Sequence, residues 1–317
     1  MTKVAESILD LIGQTPMVKL KEISKDIPAE VWVKIEYMNP SGSIKDRIAV
    51  KMLGEAEKRG QISKGTTIVE PTSGNTGVAL AMVCARKGYK MISVVPEAVS
   101  IERRQMVELY GGRVEVVPGV CPEKGVTKED MINVVNRAEQ LVKETPNAFM
   151  PDQFRNENNT LAHVETTAIE ILEQAGPRLK AYVAACGTGG TFSGVARVLK
   201  EKRPDVLNVV LEPAESAVMM GCCPGYHKIQ GIGEGFIPQV MEIPLADKIM
   251  EVSDEDAICM THRLWQEEGI MGGISSGANV HASIQLGKDM KEGDVIVTFI
   301  PDNGLRYLSS KEFVDCK

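Results

Sequence analysis

The sequence contains few aromatic residues and no long apolar run, and both absences limit what the protein can be. Only 4% of its 317 residues are aromatic, so a core must consist mainly of aliphatic side chains and the 16 methionines. No stretch approaches the roughly 20 apolar residues of a membrane span. The opening segment is charged and lacks the central apolar run of a signal peptide. The composition therefore predicts a globular protein of one large or two ordinary domains, without a membrane partner.

Clusters of basic residues are also missing. The formal net charge is −7, and lysine and arginine never form a basic block. Binding to the phosphates of nucleic acid needs clustered cations, so we predict no nucleic-acid partner.

The cysteines lack the spacing of a disulfide or zinc framework. Seven of them, an odd number, are spread along the chain: Cys84, Cys121, Cys186, Cys222, Cys223, Cys259 and Cys316. A reducing cytoplasm is the simplest location for such a protein. Cys222-Cys223 with His227 leaves a metal or redox site as an alternative, but the surrounding glycine and proline favour an exposed loop. We predict no metal site, and the HExxH, GxSxG and Walker motifs are absent as well.

Short β-branched runs alternate with helical patterns along the chain. Strands are predicted at residues 31–35, 67–70, 91–95, 114–117, 182–186, 209–212 and 295–300, and helices at 46–58, 76–87, 101–110, 128–143, 162–174, 190–201, 254–268 and 278–286. This alternation predicts an α/β fold with mostly parallel sheets flanked by helices. Prolines at 146 and 151 separate two α/β blocks near residue 150.

Three turns share one pattern, in which small residues follow a predicted strand and precede a predicted helix. They are residues 70–77 (EPTSGNTG), 186–191 (CGTGGT) and 273–278 (GISSGA). Such turns lie at the carboxyl ends of parallel strands, where ligands bind, and the helix that follows offers free N–H groups to an anion. GTGGT is the best phosphate site, with a turn whose glycines serve only packing as the alternative. The hydroxyl and amide groups of residues 72–76 exceed what one N-cap needs and favour a carboxylate site.

Lys45 stands where a predicted turn enters a helix. A cation in the first turn opposes the helix macrodipole, which tends to lower the pKa of the ammonium and suits a lysine that forms a Schiff base. An ordinary solvated helix lysine is the alternative. From the residues alone, the sequence indicates a phosphorylated small molecule between two α/β blocks with a lysine nearby.

Six ordered motifs resemble those of the cysteine synthases (O-acetylserine sulfhydrylases) and their cystathionine β-synthase relatives. They span residues 12–309 and read PSGSIKDR, EPTSGNTG, GTGGT, HKIQGIG with GFIP, GISSGA and PDNGLRYLS. The resemblance implies the two-domain fold type II of pyridoxal-phosphate enzymes, as in the tryptophan synthase β-subunit. Residues 1–40 and 151–317 would form a large cofactor-binding domain, and 41–150 a small mobile domain that carries the substrate-carboxylate loop. It also implies a homodimer, and a complex with serine acetyltransferase stays open.

The same resemblance assigns roles to individual residues. Lys45 would hold pyridoxal 5′-phosphate and act as the general base, Asn75 would bond its 3′ oxygen, and Ser275 would face its pyridine nitrogen. The residues implied for the cofactor are Lys45, Asn75, Gly187, Thr188, Gly189, Gly190, Thr191 and Ser275, and those implied for the substrate are Thr72, Ser73, Thr76, Gln153 and Gly231.

The implied reaction is β-replacement on a serine- or cysteine-type amino acid through an α-aminoacrylate, with O-acetylserine and sulfide giving cysteine and acetate. A cysteine-consuming lyase or synthase that releases sulfide and forms lanthionine, cystathionine or serine is the alternative within the same fold. A small-molecule binding protein without catalysis is the non-enzyme alternative.

One position departs from the family pattern. The motif GIGAGFIP reads GIGEGFIP here, which places Glu234 in a loop expected at the mouth of the site. We interpret Glu234 as a second catalytic residue, a base toward the incoming nucleophile or a ligand for the ammonium group of a second amino acid. A solvated loop acid is the alternative.

Overall fold

A computed structural model describes residues 4–120, 125–310 and 313, so Cys121 and Cys316 lie outside the described residues. Within these ranges the chain forms ten strands in two sheets. The strands are β1 (Met17–Lys19), β2 (Glu30–Ile35), β3 (Thr67–Pro71), β4 (Lys90–Pro96), β5 (Arg113–Val117), β6 (Ala148–Phe149), β7 (Leu179–Ala185), β8 (Leu207–Pro213), β9 (Lys248–Val252) and β10 (Val295–Ile300).

The α-helices of the described ranges surround both sheets. They are α1 (Lys45–Lys58), α2 (Asn75–Lys87), α3 (Ile101–Leu109), α4 (Lys128–Glu144), α5 (Glu157–Ala162), α6 (Ala168–Ala175), α7 (Gly190–Lys202), α8 (Asp254–Glu268) and α9 (Ile274–Gly287). None of them is long and apolar enough to cross a membrane.

The two sheets differ in size and share parallel pairing. The larger has the order β1-β2-β10-β7-β8-β9, in which only the β1–β2 pair is antiparallel, and the smaller has the order β5-β4-β3-β6. Every residue of β10 is buried, as in a parallel sheet covered on both faces. This arrangement confirms the predicted α/β fold class.

Strand β7 shows how the core is divided between the two faces of the larger sheet. Ala181 and Val183 belong to one hydrophobic cluster, and Tyr182 and Ala184 to the other, because successive side chains of a strand point to opposite faces. A further cluster joins α1 and α2 to β3 of the smaller sheet. Each sheet therefore packs against its own set of helices.

The structure corrects two details of the predicted elements. No strand precedes residues 273–278, because α8 ends at Glu268 and α9 begins at Ile274, so this third turn joins two helices. The helix predicted at 162–174 begins earlier, after Asn156, whose side chain accepts from Asn158 N at 3.0 Å as an N-cap. Its residues 163–167 form a π-helical turn between α5 and α6.

Candidate active site

One cleft collects the predicted site residues from six parts of the chain. It has an empty volume of about 770 Å³, including its open mouth. Thirteen predicted residues line it: Lys45, Thr72, Ser73, Asn75, Thr76, Gln153, Gly187, Thr188, Gly189, Thr191, Gly231, Glu234 and Ser275. The remaining one, Gly190, packs against Asn159, and a Cβ at this position would overlap the Asn159 side chain.

Lys45 is the first residue of α1 and its side chain lines the cleft. Burial lowers the pKa of its ammonium, while the negative charges of Asp302 and Glu234 oppose that shift. The direction agrees with the sequence prediction, and desolvation is the leading cause of the shift. A lowered pKa increases the fraction of neutral amine, which is the form that attacks a carbonyl carbon.

The three glycines of the turn from Gly187 to Thr191 lie where an added Cβ would overlap a neighbouring atom. A Cβ on Gly187 would lie 2.5 Å from the carbonyl oxygen of Gly231, and Gly189 has a φ of +88°. The turn leads into α7, whose first N–H groups have no acceptor within the helix. A bare backbone at a helix N-terminus is suited to hold a phosphate.

Asn159 and His163 support this turn from behind, and the sequence analysis did not identify either as functional. Asn159 Nδ2 donates to Thr188 Oγ1 at 2.9 Å and to Gln153 O at 2.8 Å. These two bonds connect the turn 187–191 to Gln153, which is predicted to bind the substrate. His163 Nε2 lies 3.1 Å from Thr191 Oγ1. Burial holds the pKa of His163 well below its usual range, so the imidazole is neutral at neutral pH.

The turn after β3 faces the same cleft with its hydroxyl groups. Thr76 Oγ1 donates to Gln153 Oε1 at 2.6 Å, and Gln153 Nε2 donates to Pro71 O at 3.1 Å. Thr76 is in the first turn of α2, where the N–H groups favour a negative charge. Together these groups form a site with the chemistry to bind a carboxylate.

A buried carboxyl lies beneath that site. Glu70 is fully buried at the end of β3 and accepts from the backbone N–H groups of Asp152 and Gln153, each at 2.9 Å. Burial raises the pKa of Glu70 to about 8. Glu70 therefore determines where the segment that carries Gln153 meets the smaller sheet.

Glu234 is half-buried and has a hydrogen-bond partner across the cleft. Its Oε1 accepts from Ser73 Oγ at 3.1 Å, and burial raises its pKa to about 7, against the opposing effects of Ser73 and Lys45. Glu234 also lines a second chamber next to the cleft, with an empty volume of about 1400 Å³ including its mouth. A carboxyl with a pKa near neutrality, between a cleft and a chamber, can accept a proton from an incoming group.

Comparison with known proteins identifies the family. A family model described as pyridoxal-phosphate dependent enzyme matches residues 8–302. The chain belongs to this family of pyridoxal-phosphate-dependent enzymes. The chain is 46% identical to cysteine synthase from Staphylococcus aureus over 309 residues, which cover 97% of either chain.

Solved structures of the pyridoxal-phosphate-dependent family share the fold. A hydrogen sulfide-producing enzyme from Fusobacterium nucleatum is 44% identical with a TM-score of 0.91, over 96% of this chain and 100% of that one. An O-acetylserine-dependent cystathionine β-synthase from Helicobacter pylori is 36% identical with a TM-score of 0.91, over 99% and 100%. These findings confirm the resemblance to cysteine synthases and the fold type II architecture.

The cofactor of this family, pyridoxal phosphate, fits the residues of the cleft. The glycine-rich turn 187–191 would hold its phosphate, and Lys45 would hold its aldehyde carbon. Ser275, only 4% exposed in the first turn of α9, would face the far side of the ring with an uncharged hydroxyl. Each chemical part of the cofactor therefore has a matching group in the same cleft.

Sequence reasoning missed several polar residues of the site, foremost Arg103, Asp302 and Arg306. All three are at most 2% exposed, and Arg103 lines the cleft. Asp302 and Arg306 lie in the motif PDNGLRYLS, which the sequence analysis used without assigning a role to either residue, whereas Arg103 lies in a polar stretch that normally indicates a surface position. The structure packs Arg103 against Gly74, where a Cβ would overlap the Arg103 side chain.

Proposed function

We propose that this enzyme makes cysteine and acetate from O-acetylserine and sulfide by β-replacement. The observation that carries the proposal is the single cleft in which Lys45 meets a phosphate turn and a carboxylate site. The identity of 46% to a protein named cysteine synthase, over 97% of either chain, supports the same reaction.

In this reaction the substrate carboxylate would bind to Thr72, Ser73, Thr76 and Gln153, which positions the α-carbon near Lys45. The cofactor, when bound, supplies an electron sink for the α-carbon. Lys45 would remove the α-proton, a step that its lowered pKa favours. Loss of acetate from the β-carbon and addition of sulfide to it would complete the replacement.

We also propose that residues 41–150 move as a small domain over the substrate. The smaller sheet lies within residues 67–149, and the hydrogen bonds that connect it to the rest of the cleft include Ser73 to Glu234 and Thr76 to Gln153. Rearrangement of these bonds around a bound carboxylate would shield the reacting atoms from water.

Assembly and location are proposals as well. We propose a homodimer in the cytoplasm, with amino acids and sulfide or a thiol as substrates and serine acetyltransferase as a possible partner. The motif resemblance supports the assembly, and the five described cysteines, all free, support a reducing compartment.

Replacement of Lys45 tests the proposed function. Lys45→Ala should abolish cysteine formation, and borohydride reduction of the wild type should attach the phosphopyridoxyl group to the peptide that contains Lys45. Lys51→Ala is the matched control, because Lys51 lies on the same helix but pairs with Glu165 at the surface. Cysteine formation by Lys45→Ala at the wild-type rate, or labelling elsewhere, would refute the assignment.

A second candidate function is favoured by Glu234 in particular. We propose that the enzyme can also consume cysteine, release sulfide and add a second thiol or amino acid. Glu234, with its pKa near 7, would accept the proton of the incoming nucleophile from the adjoining chamber. The Fusobacterium relative is named as a hydrogen sulfide-producing enzyme, which supports sulfide release. The Helicobacter relative is named as an O-acetylserine-dependent cystathionine β-synthase, which supports only the addition of a second thiol.

The variant Glu234→Gln tests this second candidate. It keeps the shape and a hydrogen bond to Ser73 but cannot accept a proton near neutral pH. We expect sulfide release from cysteine to fall at least tenfold and to lose its rise with pH around 7, while cysteine formation from O-acetylserine and sulfide changes less. If sulfide release and nucleophile preference stay unchanged, Glu234 has no such role.

A further inference from the structure

A buried polar cluster surrounds the side chain of Asn75, the first residue of α2. Asp302 and Arg306 follow β10, and Arg103 comes from α3. Their relative exposures are 1%, 2% and 2%. Charges this deeply buried are costly unless they are paired, so each contact within the cluster constrains the others.

The contacts identify which end of the Asn75 amide is the oxygen. Arg306 Nη1 lies 2.7 Å and Arg103 Nε lies 3.3 Å from Asn75 Oδ1. Arginine can only donate hydrogen bonds, so the atom between the two guanidinium groups must be the oxygen. The amide cannot be flipped without placing N–H groups against two cations.

The amide nitrogen of Asn75 donates one of its two N–H groups within the cluster. Asn75 Nδ2 donates to Asp302 Oδ2 at 2.6 Å, and the same oxygen accepts from Tyr307 Oη at 2.6 Å. The backbone of Asp302 forms a bridge with Ser43, two residues before Lys45. An amide nitrogen carries two N–H groups, so one remains for a group bound in the cleft that Asn75 lines.

We propose that Asp302 and Arg306 are positioning residues that orient Asn75 so that its remaining N–H meets the ring oxygen of pyridoxal phosphate. The inference rests on the role in cofactor binding that the proposed function gives to Asn75. The two residues lie 227 and 231 positions from Asn75 in the chain, and they connect the helix after β3 to the segment after β10. Arg103 completes the arrangement beside the oxygen.

The visible spectrum of the lysine-bound cofactor tests this proposal without measuring turnover. The cofactor has separate absorption bands for the ionised and the protonated ring oxygen, and the ratio of the bands reports on the hydrogen bond to that oxygen. Arg306→Met should shift the ratio toward the protonated form and weaken cofactor binding about 3- to 10-fold, as expected for the loss of about one hydrogen bond. Arg306→Lys, which keeps one donor, should give an intermediate ratio.

The decisive comparison uses Asn75→Ala as a second background. If Arg306 acts through Asn75, then Arg306→Met should cause no further change in the band ratio of Asn75→Ala. The matched control is Arg203→Met. Arg203 directly follows the last residue of α7 and donates to Gly176 O and Leu179 O, each at 3.0 Å. The control variant should lower stability and leave the band ratio unchanged.

Three results would overturn the proposal. They are a wild-type ratio and affinity in Arg306→Met, an equal shift in the Asn75→Ala background, and an equal shift in Arg203→Met. If Arg306→Met does not fold, Asp302→Asn allows the same comparison. Failure of the proposed function would look different, because the wild type itself would then bind no cofactor or make no cysteine.

Discussion

Replacement of Gly190 by alanine tests the construction of the phosphate turn. The added Cβ would lie closer to Asn159 Oδ1 than the 3.0 Å that real Cβ contacts keep. Asn159 cannot move aside freely, because its Nδ2 donates to Gln153 O and to Thr188 Oγ1. Relief of the overlap therefore requires the loss of one or both hydrogen bonds.

The cost follows from these contacts. Two hydrogen bonds contribute about 1 kcal/mol each, and overpacking adds about 1–3 kcal/mol, which gives about 2–4 kcal/mol after partial relaxation. For 317 residues, with an unfolding entropy of about 2.1 cal/mol/K per residue, this cost lowers Tm by about 3–6 °C. Cofactor affinity should fall about tenfold, because Thr188 loses its support.

Thermal unfolding and equilibrium dialysis with pyridoxal phosphate measure both effects. Gly54→Ala is the matched control, since Gly54 lies within α1 and a Cβ there would meet no atom within 4 Å. It should raise stability by about 0.5–1 kcal/mol. An unchanged Tm and an unchanged cofactor affinity in Gly190→Ala would refute the reasoning, as would an equal loss in Gly54→Ala.

Three further predictions concern other parts of the molecule. Arg47→Ala removes the bidentate partner of buried Glu36 and should lower the free energy of unfolding by about 3–5 kcal/mol in a denaturant titration. A nearly unchanged free energy of unfolding would contradict the buried pairing. Burial raises the pKa of Glu70 from 4.5 to about 8, so the stabilisation that Glu70 provides below pH 4.5 is lost as the pH rises through 8. Glu70→Gln should remove this decline in the free energy of unfolding. If the decline persists in the variant, it comes from a group other than Glu70. Burial raises the pKa of the Cys186 thiol to about 12. A thiol reagent should therefore label exposed Cys222 within minutes and leave Cys186 unlabelled until the protein unfolds, as peptide mapping would show. Rapid labelling of Cys186 in the native protein would contradict its burial.

Local patterns explain which parts of the site the sequence predicts. The glycine turn 187–191 and the hydroxyl-rich turn 72–77 both follow buried strands, so residue type and position within the fold point to the same cleft. Residues 273–278 contain the same kinds of residue but join two helices. The short strands β1, β6 and β9 were not predicted, because their stability comes from pairing with neighbours and not from their own composition.

Long-range contacts explain what the sequence does not predict. The pKa of Glu234 depends on burial beside Ser73, which lies 161 positions away. The orientation of Asn75 depends on partners more than 220 positions away. No local spacing encodes such contacts, and therefore the resemblance suggested that Asn75 touches the cofactor without indicating what holds it in place.

The response of the bound cofactor to O-acetylserine and sulfide tests the proposed β-replacement. The purified protein, saturated with pyridoxal phosphate, would be mixed with O-acetylserine and then with sulfide, while the visible spectrum and the amino-acid products are recorded. We expect the cofactor band to change with O-acetylserine and to return with sulfide, with one cysteine formed for each acetate released. A cofactor band that does not respond to O-acetylserine, or the absence of any band after reconstitution, would contradict the proposed β-replacement.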